Sequence, residues 1–202
     1  GERAFMTARD DDTIGFYARE VAAYTTRGVD ASPCLKAFLA ALTPGGRILE
    51  LGCGAGQDSE AMLARGFDVH PTDGTPEMAR AAAERLGVAT STLLFEDIAE
   101  QNAYDGIWAN ACLLHVPRAT LPSIIARIHT ALKGKGVFYA SYKAGTAEGR
   151  DELDRFYNYP SPDWLSDVYQ QLSWGQITID EAKGSGYDNK PTDWLHVTAV
   201  KP

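Results

Sequence analysis

Three glycines at alternating positions, Gly52, Gly54 and Gly56, stand in the stretch ILELGCGAGQDSEAMLARG, residues 48–66. They separate an apolar run from a helix-like run. Glycine adopts backbone conformations that other residues resist, and it lets a ligand approach the main chain. A helix beginning directly after such a turn points free N–H groups at an anionic or polar ligand. A tight turn without a ligand is the plainer reading, but it leaves the third alternating glycine without a purpose. The spacing G-x-G-x-G is one residue short of the dinucleotide pattern G-x-G-x-x-G. Asp73, in DVHPTDGTPEM, follows Gly52 by 21 positions. An acid about 20 residues after the glycines, at the next strand's end, can accept from both ribose hydroxyls. The competing role for Asp73 is to cap the helix that starts at Pro76. In LLFEDIAE, Asp97 can accept from an exocyclic adenine amine while Ile98 packs on the base; a solvated acidic loop is the alternative there.

The elements that must position these residues alternate. Residues 13–26 (TIGFYAREVAAYTT) and 32–42 (SPCLKAFLAAL) read as helices, the second with Ser32 as N-cap and Pro33 in its first turn. RILEL (47–51), DVHPTD (68–73), STLLFED (91–97), YDGIWANA (104–111) and VFYASYK (137–143) read as strands. Helices are expected over 57–65, 76–86 and 118–132. This rhythm predicts βαβ units and a parallel sheet covered on both faces. A helical, aromatic-rich insert over about 146–172 precedes QITIDEAK (176–183) and WLHVTAV (194–200). Those two strands are joined by a polar loop with no helix, which predicts an antiparallel pair at the end of the sheet.

The 202 residues suit one domain over 1–202. Hydrophobic residues make up 45% and charged residues 23%, as in ordinary globular chains. A net charge of -8 repels polyanions and argues against nucleic acid as a partner. No apolar run reaches membrane-spanning length and no signal peptide is evident, so a cytoplasmic chain with no membrane partner is expected. Cys34, Cys53 and Cys112 are widely spaced without a CxxC pair, and neither a disulfide framework nor a metal site is indicated.

Taken together, these motifs resemble the class I S-adenosylmethionine-dependent methyltransferases over about residues 13–200. ILELGCGAG is similar to the family's first motif, with Glu50 as its acid and Cys53 between the glycines. DVHPTDGTPEM resembles the ribose motif and its continuation through Gly74, Thr75 and Met78. YDGIWANACLLHV resembles the fourth-strand motif, with Ala109, Asn110 and Leu114. RIHTALKGKGVFYAS is similar to the helix, turn and fifth strand that follow, although Lys135 replaces a glycine of the usual turn. The resemblance implies an α/β, Rossmann-like three-layer sandwich: a mostly parallel seven-stranded sheet with an antiparallel last strand. It implies S-adenosylmethionine as cofactor, S-adenosylhomocysteine as product, and a small-molecule acceptor. It also implies an N-terminal helical lid over about 13–42, in which Tyr17, Tyr24 and Arg27 cover the methionine end. The tellurite-resistance methyltransferases are one similar group. A monomer or homodimer suits such a domain.

Two rival classes remain. A binding module could sense S-adenosylmethionine without turnover. An NAD(P)-dependent oxidoreductase is suggested by Tyr139 and Lys143, a Y-x-x-x-K pair, but that pair works only on a helix. On a strand it spans roughly 13 Å. For methyl transfer, His115 in LLHVP is the candidate base, with a pKa suited to proton transfer near neutrality; packing or helix capping is its other reading. His70, His129 and His196 fall inside regular elements. Arg150, Tyr157 and Tyr159 of the insert are candidate acceptor contacts, or else a cover for the sheet.

Overall fold

The computed structural model describes residues 32–145, 149–150, 155–185 and 191–202. The expected helix over 13–26, with Tyr17, Tyr24 and Arg27, lies outside the described residues. The helices are α1 (Pro33–Ala40), α2 (Gln57–Ala64), α3 (Pro76–Leu86), α4 (Leu121–Ala131) and α5 (Pro162–Tyr169). The strands are β1 (Arg47–Glu50), β2 (Asp68–Asp73), β3 (Ser91–Thr92), β4 (Tyr104–Ala109), β5 (Leu132–Lys143), β6 (Gly149–Arg150), β7 (Phe156–Tyr157), β8 (Gln176–Ser185) and β9 (Pro191–Val200).

Seven strands form one sheet in the order β3-β2-β1-β4-β5-β9-β8. The first five pair in parallel, and β9 runs antiparallel to both β5 and β8. β6 and β7 make a separate antiparallel ribbon. The expected fold class is the one observed.

Successive residues of a strand face opposite sides of a sheet. Leu49, Ile107, Ala109, Phe138, Ala140 and Tyr142 therefore face one way, onto Ile124, Ile125 and Ile128 of α4 and Leu165 and Tyr169 of α5. Ile48, Trp108, Val137 and Tyr139 face the other way, onto Leu35, Phe38 and Leu39 of α1 and Met62 of α2. Burial on both faces explains why β4 and β5 read as nearly unbroken apolar runs.

Three of the differences from the expected boundaries have a local reason. β3 ends at Thr92, and Phe95–Asp97 form a 3₁₀ turn. Leu93 and Phe95 pack against the core, so the apolar run LLF serves packing instead of a longer strand. α4 starts at Leu121, three residues late, because Pro122 fits only a first turn. The insert is helical only in its second half among the described residues. Pro162 occupies the first turn of α5, and Ser161 caps it by accepting from Trp164 N–H at 3.2 Å. The ribbon β6–β7 lies upstream.

The Tyr142 and Tyr169 hydroxyls meet at 2.8 Å between β5 and α5, both fully buried. Burial pushes both phenols up, so they form a neutral pair. Tyr142→Phe strands the Tyr169 hydroxyl without its partner and should cost about 1–3 kcal/mol. The double change to Phe should restore most of that loss. Urea unfolding of the two single variants and the double variant checks it; additive losses would contradict the pairing.

Candidate active site

Ligands of open α/β sheets bind outside the carboxyl ends of the strands, where the strand order reverses. Here that place lies between β1 and β4, whose outgoing loops carry the glycines and Asn110. Gly52, Gly54 and Gly56 all take left-handed φ angles, of 65°, 55° and 95°. Gly52 has a second reason to be glycine. A Cβ there would stand 2.5 Å from Cys112 Cβ, in the loop after β4. Gly56 is the N-cap of α2, and its backbone carbonyl accepts the first helical bond, from Glu60 N–H. Cys53 N–H donates to the Thr72 carbonyl at 2.8 Å, which holds the loop against β2.

Asp73, at the end of β2, ties this loop down. Its Oδ2 accepts from Gly54 N–H and its Oδ1 from Thr75 N–H, both at 2.9 Å. Each carboxylate oxygen keeps further acceptor capacity. Thr75 is buried as the N-cap of α3, without a side-chain cap bond. Met78 is buried too, its Cε 3.6 Å from where a Cβ on Gly54 would be. Gly74 lies between Asp73 and Thr75, half-buried.

Asp58, in the first turn of α2, joins three elements. Its Oδ2 accepts from Trp108 Nε1 at 2.8 Å and from Asn110 Nδ2 at 3.3 Å, and its Oδ1 from Ser32 N–H at 3.2 Å. Ser141 of β5 donates to Asn110 Oδ1 at 3.0 Å and accepts from Ala111 N–H at 2.7 Å. Ala109 is fully buried beneath this network. Asn110 is thus oriented from both sides.

The site is strongly acidic. Glu50 is buried, and burial pushes its carboxyl up to about 8. The negative charges of Asp58 and Asp73 act in the same direction, while the hydrogen bond from Ser59 works against it. Burial also raises Asp73, opposed by the N–H bonds from Thr75 and Gly54. The Cys53 and Cys112 thiols are pushed up by burial and remain neutral. At the adenine end expected from sequence, Asp97 is exposed. Ile98 is buried in the core, with its carbonyl accepting from Arg127 Nη1 at 2.9 Å.

His115, in the turn after β4, meets the insert at β7. His115 Nδ1 lies 2.7 Å from the Phe156 carbonyl, and its ring sits 4.8 Å from that of Tyr157. A carbonyl can only accept, so Nδ1 carries the proton and Nε2 is the basic nitrogen of the neutral ring. Asn158 N–H donates to the carbonyl of Leu114, which is itself buried. Tyr157 stacks on Tyr159 at 5.1 Å, and Arg150 lies over the Phe156 ring at 5.8 Å. Arg150 and Tyr157 therefore share one ribbon with the carbonyl that orients His115, and Tyr159 follows two residues after it. The other histidines are engaged elsewhere. His70 contacts Tyr104 and Ser91, His129 the Ser173 carbonyl, and His196 Tyr139.

The sequence reading missed Asp58, Ser141 and Asn158. Asp58 carried a signal, an acid in the first turn of the helix after the glycines. Ser141 and Asn158 carried none, because their partners are distant in the chain. Lys143 and Tyr139 lie on β5 and have separate partners. Tyr139 OH lies 2.7 Å from His196 Nδ1, and Lys143 Nζ donates to Tyr157 OH at 3.1 Å. They do not form a dehydrogenase pair.

Residues 48–136 match the methyltransferase-domain family model. Over that stretch the chain is similar to methyltransferase domains, within a sheet ordered as the resemblance to the class I methyltransferases implies. An uncharacterized methyltransferase of Synechocystis sp. is 31% identical over 100 residues, a stretch that spans 48% of this chain and 47% of that protein. The methyltransferase fold extends further. The 1,6-didemethyltoxoflavin-N1-methyltransferase of Burkholderia thailandensis, solved with 1,6-didemethyltoxoflavin and S-adenosylhomocysteine, is similar with a TM-score of 0.73. It is 23% identical, and the match covers 94% of this chain and 85% of that one. The phosphoethanolamine N-methyltransferase 2 of Haemonchus contortus gives a TM-score of 0.71 at 16% identity, covering 93% of this chain and 57% of that one. Among the described residues of the domain, no helix is long and apolar enough to cross a membrane, and no cluster of ligating side chains could hold a metal ion.

The raised Glu50 gives a signed prediction. A folded value of about 8 against an ordinary 4.5 means that the fold favours the neutral acid. That stabilisation is complete below 4.5 and is lost as pH rises through about 8. Urea unfolding of the ligand-free protein should show stability falling across this window. Glu50→Gln, which stays neutral, should flatten the profile. Parallel profiles for parent and variant would contradict the assignment.

Proposed function

We propose that the chain transfers the methyl group of S-adenosylmethionine to a small-molecule acceptor, as a single domain working in the cytoplasm. The observation that carries this reading is the Asp73 carboxylate bonded to Gly54 and Thr75 N–H groups, with acceptor capacity left for ribose hydroxyls. Gly52, Gly54 and Gly56 give the donor's methionine end room along the backbone. Cys53, Gly74, Thr75 and Met78 shape the floor beneath the nucleoside, and Asp97 with Ile98 mark the adenine end. The carboxylates of Asp58 and Asp73 suit a ligand with a sulfonium and an ammonium group, and Glu50 lies buried behind them as a neutral acid. Asn110, with Ala109 and Leu114, borders the reacting edge. Bound there, S-adenosylmethionine supplies an electrophilic methyl carbon. The protein's task is to align the nucleophile and exclude water. His115 takes the acceptor's proton through Nε2, and the Phe156 carbonyl fixes its tautomer.

S-adenosylhomocysteine at a hundredfold excess over its dissociation constant should stabilise the protein by about 2.7 kcal/mol. NAD(H) and NADP(H) should leave the melting temperature unchanged. Asp73→Ala should weaken S-adenosylhomocysteine binding by about tenfold or more, the loss of one or two bonds to a charged acceptor. A shift with NAD(H) alone would favour an oxidoreductase. Formation of S-adenosylhomocysteine with any acceptor separates an enzyme from a sensor. With such an acceptor, His115→Ala should lower kcat by about a hundredfold, and a parent-like rate would remove His115 as base.

A further inference from the structure

A second cluster of titratable side chains lies where the start of α1 meets β5 and β9. Cys34, the second residue of α1, is half-buried, with Sγ 3.5 Å from His196 Nδ1. The Tyr139 hydroxyl lies 2.7 Å from the same nitrogen, and the Tyr139 and His196 rings stack with centres 6.0 Å apart. Burial pushes the Tyr139 hydroxyl up, so it stays a neutral donor. Burial pushes His196 down, so its ring is a neutral base near neutrality. Asp180, opposite His196 in the β8–β9 register, acts against that shift and favours the imidazolium. A nucleophile within reach of a base, with a third group behind the base, is the arrangement that activates a thiol. The first turn of α1 adds N–H groups that favour an anion there. Cys53 and Cys112 are buried instead, with Sγ donating to the carbonyls of Gly54 and Leu51.

Two routes join this cluster to the glycine-loop crevice, and both end on Asp58. Cys34 N–H donates to Ser32 Oγ at 3.4 Å, and Ser32 N–H donates to Asp58 Oδ1 at 3.2 Å. Tyr139 stacks on Trp108 with ring centres 4.1 Å apart, and the Trp108 indole donates to Asp58 Oδ2 at 2.8 Å. Asp58 in turn holds the Asn110 amide.

We propose that Cys34 is a thiol-modification site: with His196 as its base it exchanges with small disulfides, and the mixed disulfide loosens Asp58 at the donor crevice. The thiol proton passes to His196 Nδ1 as Cys34 Sγ attacks one sulfur of the disulfide. A new S–S bond forms, the old one breaks, and the leaving thiolate takes the proton from the imidazolium. Cys34 is thereby oxidised and the released thiol is the reduced product. A free thiol reverses the step. The group added to Sγ displaces the His196 and Tyr139 contacts, because a close-packed interior has little spare room. The first turn of α1 moves with it, and Ser32 N–H leaves Asp58. The effect on the donor rests on the methyltransferase reading above; the exchange itself does not.

The test uses the full chain and dithiobis-nitrobenzoate, a disulfide whose leaving thiolate is coloured. One thiol should react in the folded protein, and peptide mass mapping should place the mixed disulfide on Cys34. Cys34→Ser should remove this phase. His196→Gln should slow it by at least about tenfold, the contribution of a positioned base. A loosened fold would speed the reaction, so slowing separates a base from a packing role. After exchange, calorimetry should show S-adenosylhomocysteine bound about fivefold or more weakly, the size of an ordinary coupling between sites. Cys34→Ser treated with the same disulfide should keep the affinity of the untreated variant. Labelling of Cys53 or Cys112 before Cys34, a parent-like exchange rate in His196→Gln, or equal affinity before and after exchange overturns the proposal. Failure of the untreated parent to bind S-adenosylhomocysteine would instead overturn the methyltransferase reading, and the exchange rates would still decide the role of Cys34.

Discussion

The carboxylate of Asp73 is the constraint on which the rest of the site depends. A loop with three left-handed residues gains little from its own backbone, and its N–H groups need acceptors once water is removed. Asp73 supplies one to Gly54 and one to Thr75. It thereby sets the spacing between the turn after β1 and the turn after β2. Keeping a carboxylate in this half-buried place opposes its burial, and the two N–H bonds offset that cost. The arrangement fixes the loop before any ligand arrives, so less conformational freedom is lost on binding.

A second acidic element, Asp58, does for β4 what Asp73 does for β2. It gathers the Trp108 indole, the Asn110 amide and the backbone at Ser32. Through Asn110 and Ser141 the network reaches β5, whose last residue is Lys143.

Much of this was legible in the sequence because it is local. Alternating glycines, an acid at the fixed interval after them and short apolar runs separated by helical patterns specify β1, β2, β4, β5 and the loops at their carboxyl ends. Proline placement would have corrected the start of α4, since Pro122 tolerates only a first turn. The strand drawn over 91–97 failed because LLF is apolar for packing, a role that periodicity cannot distinguish from pairing in so short a run. The acceptor side was legible only as composition. Arg150, Tyr157 and Tyr159 could be named, but His115 meets Phe156 across 41 positions, and Ser141 meets Asn110 across 31. Tyr139 and Lys143 resembled a catalytic pair in spacing alone, and the strand separated them.

The central claim is that the glycine loop and Asp73 hold a nucleoside through its ribose. Calorimetry with S-adenosylhomocysteine and with an analogue whose ribose lacks both hydroxyls tests it most directly. The account predicts at least about a tenfold weaker affinity for the analogue on the parent, the loss of one or two bonds to a carboxylate. It also predicts that the difference disappears in Asp73→Ala. Equal affinity of the parent for both ligands would contradict it.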